Sequence, residues 1–257
     1  VRSPQNPFLK TSDRTNVERP TLAASRGFEG VAITPDGSKL YALLEGAVTG
    51  DDAQDLRLYV YDLAKRAFAD AYLKVRLELP SQTVNLASLT DTSGARVYPD
   101  ALAQPAGPVS IGELKAVNDR QFLMIERDNL GDGQPVPRFK KVFLLDTSQA
   151  VARDRYVRKT LLVDLLAIPD PSGAGGDGDF FRLPFYTIES VHVVDERTLI
   201  VASDNNFPTS NGRSRSRGVD RNGPLAADST ELILVRLGTP LDVDRRLTPG
   251  GGKASRR

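Results

Sequence analysis

Three glutamates, Glu29, Glu113 and Glu189, each open a stretch of alternating apolar residues, at intervals of 84 and 76 residues. If the repeated stretches are arranged radially, their carboxylates meet at the mouth of one channel, where like charges repel until a cation relieves them. A hard divalent ion suits such a ring, and calcium above all, because it accepts many carboxylate, carbonyl and amide oxygens in loose geometry. Asp204 and Asn205, at the end of the third stretch, add oxygens. The expected metal set is therefore Glu29, Glu113, Glu189 and Asp204. The plainer alternative for each glutamate is a strand-edge cap or an arginine partner.

A second acidic series, Glu45, Glu126 and Asp204, closes the following strand of each repeat. Two readings stand: it faces the channel, or it faces a neighbouring sheet through Arg26 or Arg127. His192 lies three residues after Glu189, on the opposite face of a regular strand, and reads as a sheet histidine before a general base. Arg26, Lys115 and Arg127 lie close to the acidic motifs. They either hold an anionic substrate such as a phosphate ester by charge-assisted hydrogen bonds or serve solubility alone. The stretch Arg213 to Arg217 reads as solvated loop charge.

Composition narrows the chemistry. The chain has no cysteine and a single histidine, so disulfides, thiolate nucleophiles, Cys-ligated zinc and His-rich metal sites are excluded and oxygen chemistry remains. With 34 basic and 33 acidic residues the net charge is +1, which argues against a nucleic-acid partner. No apolar run approaches the roughly twenty residues of a membrane-spanning helix, and no signal-peptide pattern marks the start.

The elements that must position these residues are hairpins. The first copy pairs 27–33 with 39–45 across Thr34-Pro35-Asp36-Gly37-Ser38; the second pairs 111–117 with 121–128; the third pairs 187–194 with 198–204. A third strand follows each, at 56–62, 141–146 and 231–237, and outer strands at 71–79 and 159–163 complete four-stranded units. The expected fold is all-β: a β-propeller of four-stranded blades with about three blades present. Loops at 131–137, 169–179 and 208–228 are rich in Gly, Pro, Asp, Ser and Arg. The expected division is an irregular lead-in at 1–25, one propeller domain at 26–247 and a disordered tail at 248–257.

The repeats also carry specific wording: Arg26-Gly27-Phe28-Glu29-Gly30 followed by Pro35-Asp36-Gly37, then Ile111-Gly112-Glu113, Glu126-Arg127-Asp128 and Ser203-Asp204-Asn205-Asn206-Phe207. In this order they resemble the phytase-like family, described as having esterase-like activity, over about Arg26 to Leu237. The family pattern has glycine where this chain has Ser190. The resemblance implies that the chain corresponds to the C-terminal part of the family's domain, with further blades upstream or self-association to cover raw edges. It also implies a periplasmic or secreted protein. The expected function is calcium-dependent hydrolysis of an ester, with a small anionic ester as substrate. A non-catalytic propeller binding module, or an inactive fragment of a longer propeller protein, stands beside it.

Overall fold

The computed structural model describes residues 1–2, 21–22, 26–79, 109–131, 137–150, 154–173, 178–205 and 229–248. Most of the lead-in, the loop with Arg213 to Arg217, and 249–257 of the tail lie outside them. Among the described residues there is no α-helix, and so no helix long and apolar enough to cross a membrane. The strands are β1 (Phe28–Ile33), β2 (Lys39–Leu44), β3 (Asp55–Asp62), β4 (Ala67–Phe68), β5 (Leu73–Arg76), β6 (Val109–Ala116), β7 (Gln121–Asp128), β8 (Lys140–Asp146), β9 (Arg158–Asp164), β10 (Ile168–Pro169), β11 (Phe180–Phe181), β12 (Thr187–Asp195), β13 (Thr198–Asp204) and β14 (Leu232–Arg236).

They form three main antiparallel sheets: β1-β2-β3-β4 with β5 also on β3, β6-β7-β8-β9, and β12-β13-β14; β10 and β11 make a separate small pair. The arrangement is that of a partial, open propeller. Each main sheet begins with one of the expected hairpins; β5 falls inside the expected outer strand 71–79, and β9 contains the expected 159–163 with one residue more at each end.

Side-chain alternation decides how the sheets stack. Along β7, Phe122 and Met124 enter a core shared with Tyr41, Leu43, Leu56 and Leu58 of the first sheet. Their neighbours Leu123 and Ile125 enter a second core with Val191, Val193, Leu199 and Val201 of the third. The middle sheet is thus covered on both faces, which is why β7 reads as an unbroken apolar run, Phe122-Leu123-Met124-Ile125, all 0% exposed. Strand β12 is covered on one face only, and there the buried Val191 and Val193 alternate with the exposed Ser190 and His192.

The first strands of the three sheets lie side by side, β1 against β6 and β6 against β12. Two glycines permit this approach. A Cβ on Gly30 would lie 2.6 Å from the Leu114 Cβ, and one on Gly112 would lie 2.2 Å from the Ile188 carbonyl oxygen. Ser190 follows the bulge in β12 as Gly30 follows the one in β1, but it is exposed, so its side chain has room.

At the opposite end the turns are cross-braced. Asp36 accepts from the amide and hydroxyl of Ser38 and from the Thr34 hydroxyl, and its own N–H donates to Asp119 in the turn of the middle sheet at 2.9 Å. These contacts fix the inner hairpins relative to each other at one end and leave side-chain chemistry to the other.

Candidate active site at the convergence of the inner strands

Each inner strand carries a β-bulge at the same level, at Glu29 in β1, Gly112 in β6 and Glu189 in β12. A bulge inserts one unpaired residue and re-aims the side chains around it. Glu29 and Glu189 are themselves the inserted residues, whereas Glu113 follows its bulge by one. The three glutamates gather at one end of the sheets, although they are not in strict register.

The same offset reassigns the second acidic series. Leu44 pairs with Phe28, Ser203 with Ile188 and Glu126 with Ile111. The residues that follow are Glu45, Asp204 and Arg127, so Arg127 is the positional equivalent of the two outer acids. Glu126 is instead wholly buried, accepts from the Glu78 amide at 2.8 Å and pairs with Lys159 at 2.7 Å. Glu45, for its part, pairs with Arg26 at 2.9 Å. Of the two readings of this series, Glu126 takes the paired one, with Lys159 in place of the expected arginine, while Glu45 is paired with Arg26 and still lies in the field of the mouth.

Arg127 is the hub of the site. It is 4% exposed, donates from Nη2 to Glu189 Oε1 at 2.6 Å and from Nη1 to Asn129 Oδ1. Its Nε is buried and has no hydrogen-bond partner among the described residues. A guanidinium has five N–H donors in a rigid fork, and leaving one of them buried and unused is costly unless a ligand completes it.

Around this cation the carboxyls titrate high. Burial raises Glu29, and Glu45 adds to the rise, while Arg127 and Arg26 oppose it. Burial also raises Glu45, against Arg26, Arg127 and the Ser110 hydroxyl. Glu113 is raised by burial and by Glu189 and Glu29, against the Leu114 amide, which donates to it at 3.0 Å, and Lys115. Glu189 is raised by burial, opposed by Arg127, and raised further by Glu29 and Asp204. Glu29, Glu45, Glu113, Glu189 and Asp204 thus share one electrostatic field with Arg127 and Arg26 inside it.

The remaining expected residues lie along the same surface. Lys115 is two residues beyond Glu113, about 7 Å along the strand. His192 is exposed on β12 and is held below the ordinary imidazole value by partial burial and then by Lys115. Together they extend the site from the acidic mouth down the inner strands.

Among the described residues no group of three or more His, Asp and Glu side chains stands close enough to hold one ion. One oxygen of Glu189, Oε1, already accepts from Arg127. Arg127 and Arg26 offset part of the acidic charge at the mouth.

The spacing of the acidic residues does not reveal the place of Arg127 in the register. The glycine of Ile111-Gly112-Glu113 was the available signal, since it marks the inserted residue that shifts the middle copy by one. The family described as phytase-like, esterase-like activity of phytase, matches over residues 3–207. The chain belongs to the phytase-like family. Its description connects this phytase-like chain with ester-cleaving hydrolases. No curated protein matches the chain.

Proposed function

We propose that this phytase-like protein hydrolyses an ester of an anionic substrate, a phosphate ester before a carboxylate ester, at the mouth formed by Glu29, Glu113, Arg127 and Glu189. One observation carries the reading: a buried guanidinium with an unused N–H stands among glutamates whose carboxyls titrate high. Arg127 supplies the fork that binds two oxygens of a phosphoryl or carboxylate group and stabilises the charge that builds on them. Glu189 and Asn129 hold that fork in place, and Arg26 and Lys115 add positive charge at the rim.

Glu29 is the candidate general base. It sits on the inserted residue of a bulge, and its raised pKa brings it closer to the range where proton abstraction is efficient. It takes a proton from water as the water oxygen bonds to phosphorus or the acyl carbon. Glu113, kept protonated more than an ordinary glutamate, gives its proton to the leaving oxygen as the ester bond breaks. No step is routed through a metal.

The test is hydrolysis of p-nitrophenyl phosphate and p-nitrophenyl butyrate by the full chain, with added calcium or with a chelator. Arg127→Gln is expected to lower kcat/KM by about a hundredfold or more, and Glu29→Gln by a similar factor with loss of the acid limb of the pH profile. Turnover that appears only with calcium would overturn the arginine-centred reading and return the acidic set to the ion. Binding of a phosphate ester without turnover would make the site an anion-binding module.

A further inference from the structure

The far end of the third sheet holds a second polar concavity. It lies between the β12–β13 turn and the segment after β14, has a volume of about 630 Å³, and is lined by Asp195, Arg197, Thr198, Arg236, Val243 and Arg245 among others. Asp195 ends the strand whose other end carries Glu189, so the cleft is about 20 Å from the mouth along an extended chain.

Its charge is cationic and unspent. Three guanidiniums face the carboxylates of Asp195 and Glu196. Asp195 is committed to the hairpin turn: its carboxylate accepts from the Arg197 amide at 2.7 Å and from Thr198, and these bonds hold it below the ordinary aspartate value. Arg197 Nη1 donates to the Gly238 carbonyl at 2.8 Å, which anchors one side of its fork. The nearby acids are engaged elsewhere. Arg246 takes Asp244 and Asp119, and Arg120 takes Asp242. Among the described residues, none of Arg197, Arg236 and Arg245 has a carboxylate within ion-pair distance.

Three arginines that make no ion-pair contact among the described residues, around one concavity with an excess of positive charge, form a receptor for a group with several acceptor oxygens and more than one charge. We infer that this cleft binds a phosphate-type oxyanion, either free or as the phosphate of a small monoester. Thr198 adds a hydroxyl and Val243 an apolar wall for the remainder of an ester. The site is separate from the hydrolytic mouth and does not depend on it.

The experiment is titration of the isotopically labelled full chain with inorganic phosphate, glycerol phosphate or succinate at constant ionic strength, followed by amide chemical shifts. Saturable shifts are expected at Thr198, Arg236, Val243 and Arg245. Arg236→Gln and Arg245→Gln, both at exposed positions, are each expected to weaken phosphate binding by about tenfold while the rest of the spectrum is preserved. Glycerol phosphate binding more tightly than phosphate identifies the monoester as the fitting ligand, and the reverse identifies the free ion. Shifts that do not saturate, or that persist undiminished in both variants, overturn the site. Succinate binding as well as phosphate overturns the assignment to phosphate.

Discussion

Glu126, Arg127 and Asp128 are consecutive at the end of β7, with exposures of 0%, 4% and 0%, yet they meet three different fates. Asp128 accepts from Lys140 Nζ at 2.7 Å, from the Leu130 amide, and from the amides of Arg138 and Phe139. Lys140 spends its other donors on the carbonyls of Asp128 and Tyr186. Glu126 has a partner for each oxygen. Arg127 alone is incomplete. Burial is the same in all three; satisfaction is not, and the unsatisfied member is the one at the convergence of the inner strands. Saturated buried charge holds the sheet ends together, and unsaturated buried charge is left for a ligand.

The comparison breaks most visibly at Asp128. Replacing it with Ala leaves Lys140 in a fully buried site with two carbonyls and no counter-ion, or forces the lysine to give up its proton. The expected loss is about 3–5 kcal/mol of unfolding free energy, read from urea denaturation. A loss near zero would show that the pair is not what joins β7 to β8. The lysine also gives a pH signature. Burial pushes Lys140 down to about 8 from its ordinary 10.5. Between those values the unfolded chain binds the extra proton, so the stability of the wild type rises with pH across that window relative to Lys140→Met.

The close approach of the inner strands comes next in size. Gly112→Ala puts a methyl against backbone at Ile188, where only movement of β12 away from β6 can relieve it, and should cost about 1–3 kcal/mol. Gly27 has nothing within 4 Å of its Cβ position, so Gly27→Ala is the neutral control. Because Gly112 also sets the level of Glu113 and Glu189, Gly112→Ala is expected to lower ester hydrolysis beyond what unfolding explains, measured at a temperature where both proteins are folded. Equal activity per folded molecule would separate the bulge from the site.

The three hairpins were legible because period-2 alternation and turn residues such as Pro35-Asp36-Gly37 are local signals. The double-sided burial of β7 was not read, although its run Phe122-Leu123-Met124-Ile125 departs from the alternation expected of a strand covered on one face. The two-residue strands β4, β10 and β11 have no room for a pattern. The partnership of Asp128 with Lys140 depends on the pairing of β7 with β8, which residue types alone do not select. Matching the copies by their acids put Glu126 beside Glu45 and Asp204, because the acids look equivalent in composition. The bulge at Gly112 shifts the middle copy by one, and one residue in a strand exchanges one face for the other. The result is an arginine where an all-acid ring was expected, and with it a mouth whose acidic charge is partly offset by its own side chains.

The smallest effect sharpens the comparison from the other side. In the mouth, burial raises Glu29 and Glu113 above the ordinary glutamate value of 4.5. The folded state therefore holds these protons more tightly than the unfolded chain does. Stability from this source is fully present below the ordinary value and is lost as pH rises through the folded-state value, so at neutral pH each ionised glutamate works against folding. Glu29→Gln and Glu113→Gln remove that opposition. Both variants are expected to unfold at the same or a slightly higher denaturant concentration than wild type at pH 7, with the difference vanishing near pH 4, while ester hydrolysis falls. Glu126→Gln is the matched test: burial raises Glu126 as well, against Lys159 and the Glu78 amide, but an amide there leaves Lys159 without its counter-ion. It is expected to lose stability at pH 7. If all three variants moved in the same direction, the distinction between structural and functional charge at the end of β7 would fail.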